Sequence, residues 1–158
     1  MKKLLLGVAL LAALSNPVSA QDTSSATPVP QLLSLYYSVK DALVAGNAAA
    51  AAEKAAGFAD AVKVVDAKTI GQQEADALIK SANRIHATSN LGRQRDNFAD
   101  LSVQMINLVK HSAPGSTPVY QAYCPMKKSS WLTNSKQIKN PYFGSAMLTC
   151  GEVVDTLH

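Results

Sequence analysis

The chain lacks the short motifs that mark the common classes of enzyme. It has no G-x-S-x-G nucleophile turn, no phosphate-binding glycine-rich loop, no H-E-x-x-H and no C-x-x-C. Its three histidines, His86, His111 and His158, have no spacing to an acidic residue that would suggest a catalytic triad. We therefore expect that the protein is not an enzyme.

Charge and cysteine are also scarce. Charged residues make up 16% of the chain, and the formal net charge is only +4. Because no cluster of lysines and arginines is interleaved with aromatic residues, nucleic acid is not an expected partner. The two cysteines allow at most one intramolecular disulfide.

The only long apolar run lies at the N-terminus. Met1-Lys2-Lys3 precedes it, it extends from Leu4 to Leu14, and the small residues Val18-Ser19-Ala20 follow. This order is typical of a secretory signal peptide, and a run of about 11 residues is too short to span a bilayer. We expect residues 1–20 to be removed after Ala20 and the product to be exported, with the bacterial periplasm as the expected location.

The 138 residues that remain (158 − 20) have the length of a single domain. Residues 21–29 are polar and rich in proline, which predicts a flexible leader. Residues 30–158 predict one domain without a membrane span. In its last part, residues 118–158, the apolar residues no longer recur at helical spacing; this part forms the C-terminal cap.

Four stretches before this cap have apolar residues at helical spacing. Their apolar stripes consist of Leu32, Leu35 or Tyr36, Val39 and Leu43; Ala51, Ala55, Phe58, Val62 and Val65; Ala75, Leu78, Ala82 and Ile85; and Phe98, Leu101, Met105 and Leu108. Asn47 is a predicted N-cap, Asn90 precedes the fourth stretch, and Pro114-Gly115 is a predicted helix stop. Residues 69–72 fit a capping box. The pattern predicts an all-α fold, a four-helix up-down bundle with a small irregular, partly extended cap.

The cap itself contains three recognisable segments. Residues 119–124, VYQAYC, have the composition of a strand, and residues 140–144, NPYFG, form a turn signal. Residues 151–158, GEVVDTLH, predict a short helix or strand. Trp131, Tyr142 and Phe143 are expected to fill the interior of the cap.

Sulfur is concentrated in the cap. Cys124 and Met126 are two residues apart, which places them on one face of an extended segment. Met147 and Cys150 are three residues apart, which places them on one face of a helical turn. If the two segments pack together, four soft sulfur ligands converge, and such ligands select Cu(I) above hard cations.

Other interpretations of these residues stay open. Exported proteins form disulfides, and a Cys124–Cys150 bridge would stabilise the fold by roughly 3–4 kcal/mol. Methionines also fill gaps in protein cores. The bridge and the metal site do not exclude each other, because a reduced pair could bind copper and an oxidised pair could release it. Zinc is less expected since it prefers additional Cys or His ligands.

Two further groups have both a structural and a functional interpretation. His86 lies at the edge of the third stripe. It is either a structural residue, packed or exposed, or a distal metal ligand. Arg93, Arg95 and Asp96 lie at the start of the fourth helix. They either form an ordinary helix surface or include a buried arginine that connects the bundle to the cap.

Three segments together resemble the DUF3347 domain family. They are VYQAYCPM, WLTNSKQIKNPYFGSAMLTCGEV and RQRDNFADLSVQMINLVK. Family members have a C-P-M, a W-L segment, an N-P-Y-[FY]-G and an M-x-x-C-G in this order, and the resemblance extends over about residues 30–156. It implies an exported bacterial protein that accompanies adaptor subunits of copper and silver efflux pumps. No enzymatic activity is implied.

The resemblance also implies roles for particular residues. Four positions match residues suspected of metal binding: Cys124, Met126, Met147 and Cys150. Four others match a turn that positions the second sulfur pair: Asn140, Pro141, Tyr142 and Gly144. The small metal-binding modules of such adaptors read Y-x-C-P-M-H-P. Here Lys127-Lys128 replace the H-P, so a histidine ligand is missing.

The sequence thus predicts an exported protein that binds Cu(I) or Ag(I), as a copper carrier, buffer or efflux accessory. Its expected partner is a periplasmic copper-efflux adaptor or another copper protein. The alternative is a structural or protein-interaction helical module without a cofactor, stapled by a Cys124–Cys150 disulfide.

Overall fold

A computed structural model describes residues 28–112 and 116–158. The predicted signal peptide, most of the leader and the predicted stop at Pro114-Gly115 lie outside these residues. The described chain forms five α-helices: α1 (Pro28–Val44), α2 (Ala48–Lys63), α3 (Ala67–Ile70), α4 (Gln72–His86) and α5 (Leu91–His111). Three strands follow, β1 (Val119–Cys124), β2 (Ser129–Thr133) and β3 (Glu152–Leu157), with a 3-10 turn at Gly144–Met147 before β3.

The four predicted helices are α1, α2, α4 and α5, and their apolar stripes form the core. Nearly every stripe residue is buried; among the exceptions, Val65 lies beyond the end of α2 and is half-buried. Pro28 and Val29, which were assigned to the leader, already belong to α1, and Val29 is buried. The domain therefore includes these two residues.

Asparagine side chains cap the N-termini of α2 and α5 and explain where these two helices begin. Asn47 accepts a hydrogen bond from the Ala50 amide at 2.9 Å, and Asn90 accepts one from the Arg93 amide at 3.0 Å. The predicted N-cap at Asn47 is confirmed, and Asn90 caps the start of α5 in the same way. The predicted capping box at residues 69–72 is wrong, because α3 ends at Ile70 and Gly71 precedes α4 without a side-chain cap.

Helix α2 packs against both α1 and α4, and α4 packs against α5. Small residues such as Ala51, Ala55 and Ala82 are fully buried, which allows these helices to approach closely. The protein is thus mostly helical, as predicted; the up-down order of its helices stays a prediction. In residues 28–112 and 116–158, no helix combines the length and apolarity needed to cross a membrane.

The C-terminal cap is more regular than predicted. Its strands form an antiparallel sheet in the order β2-β1-β3, with a register shift in the β1–β3 pair between Gln121 and Ala122. The predicted strand at residues 119–124 is β1, and the ambiguous last segment is a strand. An irregular cap was expected because the pairing of distant segments leaves no periodic signal in the sequence.

Four aromatic residues join the helices to the cap. Tyr36 of α1 stacks on Phe98 of α5 at 5.0 Å between ring centroids, Tyr142 lies 6.1 Å from Phe98, and Trp131 of β2 meets Tyr142 edge-on at 5.8 Å. The Tyr36 hydroxyl also lies 2.6 Å from Ser102 Oγ and accepts a hydrogen bond from the Leu132 amide at 3.2 Å. This aromatic junction fixes the position of the sheet on the bundle.

Candidate functional site

The structure brings the two cysteines together. Cys124 is the last residue of β1, and Cys150 precedes the start of β3 by two residues. Because β1 and β3 are antiparallel neighbours with Tyr123 opposite Glu152, the chain places Cys150 beside Cys124. The two Sγ atoms are 3.8 Å apart, and both cysteines are free thiols. Cys124 is buried, whereas Cys150 is partly exposed.

Asn140 holds the segment that carries Cys150. Its side chain is fully buried and donates a hydrogen bond from Nδ2 to the Cys150 carbonyl at 2.7 Å, while its Oδ1 accepts from the Tyr142 amide at 2.8 Å. Its backbone amide donates to the Leu148 carbonyl at 2.8 Å. Both ends of the Asn140 amide group are therefore used to fold residues 140–150 back on themselves.

Gly151 allows the closest approach of the two segments. It has φ = +138°, and a Cβ atom there would lie 2.8 Å from both the Tyr123 carbonyl oxygen and the Trp131 ring. A side chain at this position would push the backbone that follows Cys150 away from β1. The contact between the two sulfur atoms thus depends on this glycine.

The turn between β1 and β2 supplies backbone donors to the sulfurs. The Lys127 amide donates to Cys124 Sγ at 3.4 Å. Partial burial raises the pKa of the Cys150 thiol, the adjacent Cys124 raises it further, and the Met126 amide opposes the shift. Burial and the neighbouring Cys124 therefore favour the protonated form of the Cys150 thiol, while the backbone amide favours its thiolate.

The two predicted methionine ligands are on the surface. Met126 is 64% exposed and Met147 is 40% exposed, whereas Met105 lies in the core at 0%. The interpretation of methionines as core filling therefore fits Met105 and does not fit the two methionines of the cap. Met147 is held near Cys150 by a hydrogen bond from the Cys150 amide to its carbonyl at 3.1 Å.

His86 contacts a neighbouring helix. It is the last residue of α4, and its Nδ1 is 3.2 Å from the Ala52 carbonyl of α2. In the part of the chain that the structure describes, no group of three or more His, Cys, Asp and Glu side chains could hold a metal ion. The structure thus assigns His86 to the contact between α2 and α4.

The residues at the start of α5 connect the helices to the cap. Arg95 donates to the Leu43 carbonyl at 3.0 Å and its guanidinium lies against Gly144, where a Cβ would clash with it. Burial lowers the pKa of Arg95. Asp96 forms an ion pair with Lys127 in the turn that follows Cys124. The interpretation of an arginine that connects bundle and cap therefore fits Arg95, which is half-buried, whereas the ion pair of Asp96 was not predicted.

The family DUF3347, described as a protein of unknown function, matches residues 32–117. No curated protein and no solved structure matches the chain. The matched range begins within α1, extends through α5 and ends before β1, so Cys124, Cys150 and the motifs around them lie beyond it.

Proposed function

The chain belongs to the DUF3347 family, and from this premise and the geometry of the cap we propose that it binds a soft metal ion, Cu(I) or Ag(I), at the cysteine pair. Cys124 and Cys150 supply thiolates. Met126 and Met147 supply thioethers from the same two segments of the cap. The helices, as a four-helix up-down bundle, serve as the scaffold that holds this site at the surface.

The observation that carries the proposal is the 3.8 Å separation of two free sulfur atoms. With metal–sulfur bonds of about 2.3 Å, this separation corresponds to a sulfur–metal–sulfur angle of about 110°. Such an angle suits three- or four-coordinate metal, whereas a two-coordinate ion would need a linear arrangement. The proposed site therefore requires at least one donor beyond the two cysteines.

The chemistry of the surroundings favours thioethers as the additional donors. The described residues provide no third His, Cys, Asp or Glu at the pair, while two exposed methionines lie two and three residues from the cysteines. A ligand set of two thiolates and one or two thioethers is soft, so it favours Cu(I) and Ag(I) over Zn(II) or hard cations.

The same separation supports a second candidate, a structural or protein-interaction module closed by a Cys124–Cys150 disulfide. The two sulfurs are already in contact, and one bridge would join β1 to the segment before β3. In this case the protein has no cofactor, and the exposed methionines have no ligand role.

Competition with a chromogenic Cu(I) chelator on the fully reduced protein tests the metal site. We expect one Cu(I) per chain, with loss of binding in a Cys124→Ser/Cys150→Ser variant. Met126→Leu and Met147→Leu keep the side-chain size and remove the thioether, so each should weaken binding while the melting temperature stays unchanged. Binding weaker than micromolar, or undiminished in the double cysteine variant, would contradict the proposal.

The cellular setting is part of the proposal. Export to the periplasm is supported by the pattern of residues 1–20, and the role as a copper carrier, buffer or efflux accessory is supported by the family resemblance. A copper-efflux adaptor is the proposed partner. Fractionation of cells that express the full chain, with N-terminal sequencing of the product, tests the cleavage after Ala20.

A further inference from the structure

We infer that the cysteine pair is a thiol–disulfide exchange site for small-molecule disulfides, in which Cys150 reacts first and Cys124 closes the bridge. The two thiols differ in their accessibility: Cys124 is 0% exposed in β1, while Cys150 is partly exposed. A disulfide reagent in solution therefore reaches Cys150, and Cys124 is the sulfur 3.8 Å behind it.

The two cysteines also differ in the structure around them. Cys124 belongs to the central strand of the sheet, which pairs with β2 and β3 on both sides. Residues 145–149, which precede Cys150, are all exposed. A disulfide needs the sulfurs to approach to about 2.05 Å, and we expect the exposed segment of Cys150 to make that movement.

The reaction has two balanced steps. Cys150 loses its proton to solvent and its thiolate attacks one sulfur of the small disulfide, so that a mixed disulfide forms and one small thiolate leaves. Cys124 then loses its proton and attacks Cys150 Sγ, which releases the second small thiolate. The protein gives up two electrons and two protons, and the small disulfide becomes two thiols.

A bridged pair has no thiolates to offer a metal ion. Formation of the bridge and binding of Cu(I) therefore exclude each other at this site. This exclusion rests on the proposed function, whereas the order of the exchange rests on the geometry of the pair alone.

Intact-mass measurement after addition of oxidised glutathione to the native, reduced chain tests the inference. We expect the wild type to form the bridge without a stable adduct, and Cys124→Ser to hold one glutathione on Cys150. In Cys150→Ser the buried Cys124 should react at least about tenfold more slowly than Cys150 does in Cys124→Ser. Equal rates in the two variants, or two adducts on the wild type without a bridge, would overturn it.

A second measurement avoids the serine variants should either fold poorly. Wild-type protein is treated with a limiting amount of an alkylating reagent, and peptide mapping shows which cysteine is modified first; Cys124 first would overturn the inference. Cu(I) titration of the reduced and bridged wild type separates the two proposals. If the bridge forms but the reduced protein does not bind Cu(I), the exchange proposal stands and the metal site is ruled out. If the reduced protein binds Cu(I) but no bridge forms, the metal site stands and the exchange proposal is overturned.

Discussion

The helical part and the C-terminal cap are held together by different means. The helices are joined by periodic apolar stripes in which many small residues, such as Ala51, Ala55 and Ala82, are fully buried. The cap depends on a few large aromatic side chains and on single hydrogen bonds, among them those of Asn140. In the helices many contacts share the stabilisation, whereas in the cap a few specific contacts set the distance between two sulfur atoms.

The largest effect is expected from Trp131→Ala in the cap. Trp131 is fully buried against Tyr142 and Gly151, so its removal should lower the free energy of unfolding by about 3–5 kcal/mol. Leu78→Ala in α4 is the matched deletion in the bundle, with an expected cost of about 2–5 kcal/mol. Urea unfolding measures both costs. Only Trp131→Ala should also weaken Cu(I) binding. An equal loss of Cu(I) affinity in both variants would show that binding depends only on the overall stability of the fold.

A pair of glycine substitutions should have opposite signs in the two regions. Gly151→Ala should cost about 2–4 kcal/mol, because its φ of +138° strains a side chain and the new Cβ meets the Trp131 ring. Gly57→Ala, inside α2 with no atom within 4 Å of the new Cβ, should stabilise the protein by about 0.5–1 kcal/mol. Thermal melts of the two variants give both values. A neutral Gly151→Ala would mean that the close approach to β1 is not required.

The junction between the two regions should be sensitive to Tyr36→Phe. The change removes one hydroxyl and leaves Ser102 Oγ and the Leu132 amide without that partner, at an expected cost of about 1–3 kcal/mol. Hydrogen exchange should then increase at Leu132 in β2 more than in the middle of α4. Uniform exchange in both places would show that bundle and cap unfold as one unit.

Alkaline pH should loosen the same junction. Burial raises the pKa of both Tyr36 and Tyr142 above the ordinary value of 10.0, so the folded state holds these protons more tightly than the unfolded state does. Stability is therefore full below pH 10 and falls as the pH rises, by roughly 1 kcal/mol per pH unit for each group. Phenolate absorbance and circular dichroism should change together above pH 10; ionisation of both groups without loss of structure would contradict this.

The smallest effect is expected at the ion pair of Asp96 and Lys127. Because the Asp96 carboxylate is largely exposed, Asp96→Asn should change the free energy of unfolding by less than about 1 kcal/mol. The surface pair of Arg84 and Asp100, tested by Asp100→Asn, is the control in the bundle. If Asp96→Asn weakens Cu(I) binding and Asp100→Asn does not, the role of the Asp96–Lys127 pair is to position the turn after Cys124 and not to stabilise the fold.

Much of the helical part could be predicted because its signals are local. Residues three and four positions apart share a helix face, so Phe98, Leu101 and Met105 identify a buried stripe without knowledge of their partners. The N-caps at Asn47 and Asn90 are likewise contacts over three residues. The capping box at residues 69–72 failed because a four-residue helix, α3, ends there and Gly71 starts the next one.

The candidate site was predicted as four sulfur residues, and the structure brings two of them into contact. Sequence spacing places Cys124 near Met126 and Cys150 near Met147, but it carries no information about the distance between the two pairs. His86 was a candidate because of its position on a stripe, and its contact with Ala52 depends on how α2 and α4 pack. The role of Gly151 had no signal that spacing could provide.

The sequence by itself determined where the four long helices run, which faces they bury, and which residues could offer soft ligands to a metal. These properties follow from spacing and side-chain chemistry, which are fixed before the chain folds. Only the tertiary structure decided that β1 and β3 pair, that Asn140 folds its segment back, and that Cys150 meets Cys124. Cys124 and Cys150 are 26 residues apart in the sequence, and their contact depends on strand register and on close packing at Gly151. Neither of these leaves a local pattern in the sequence from which the contact could be predicted.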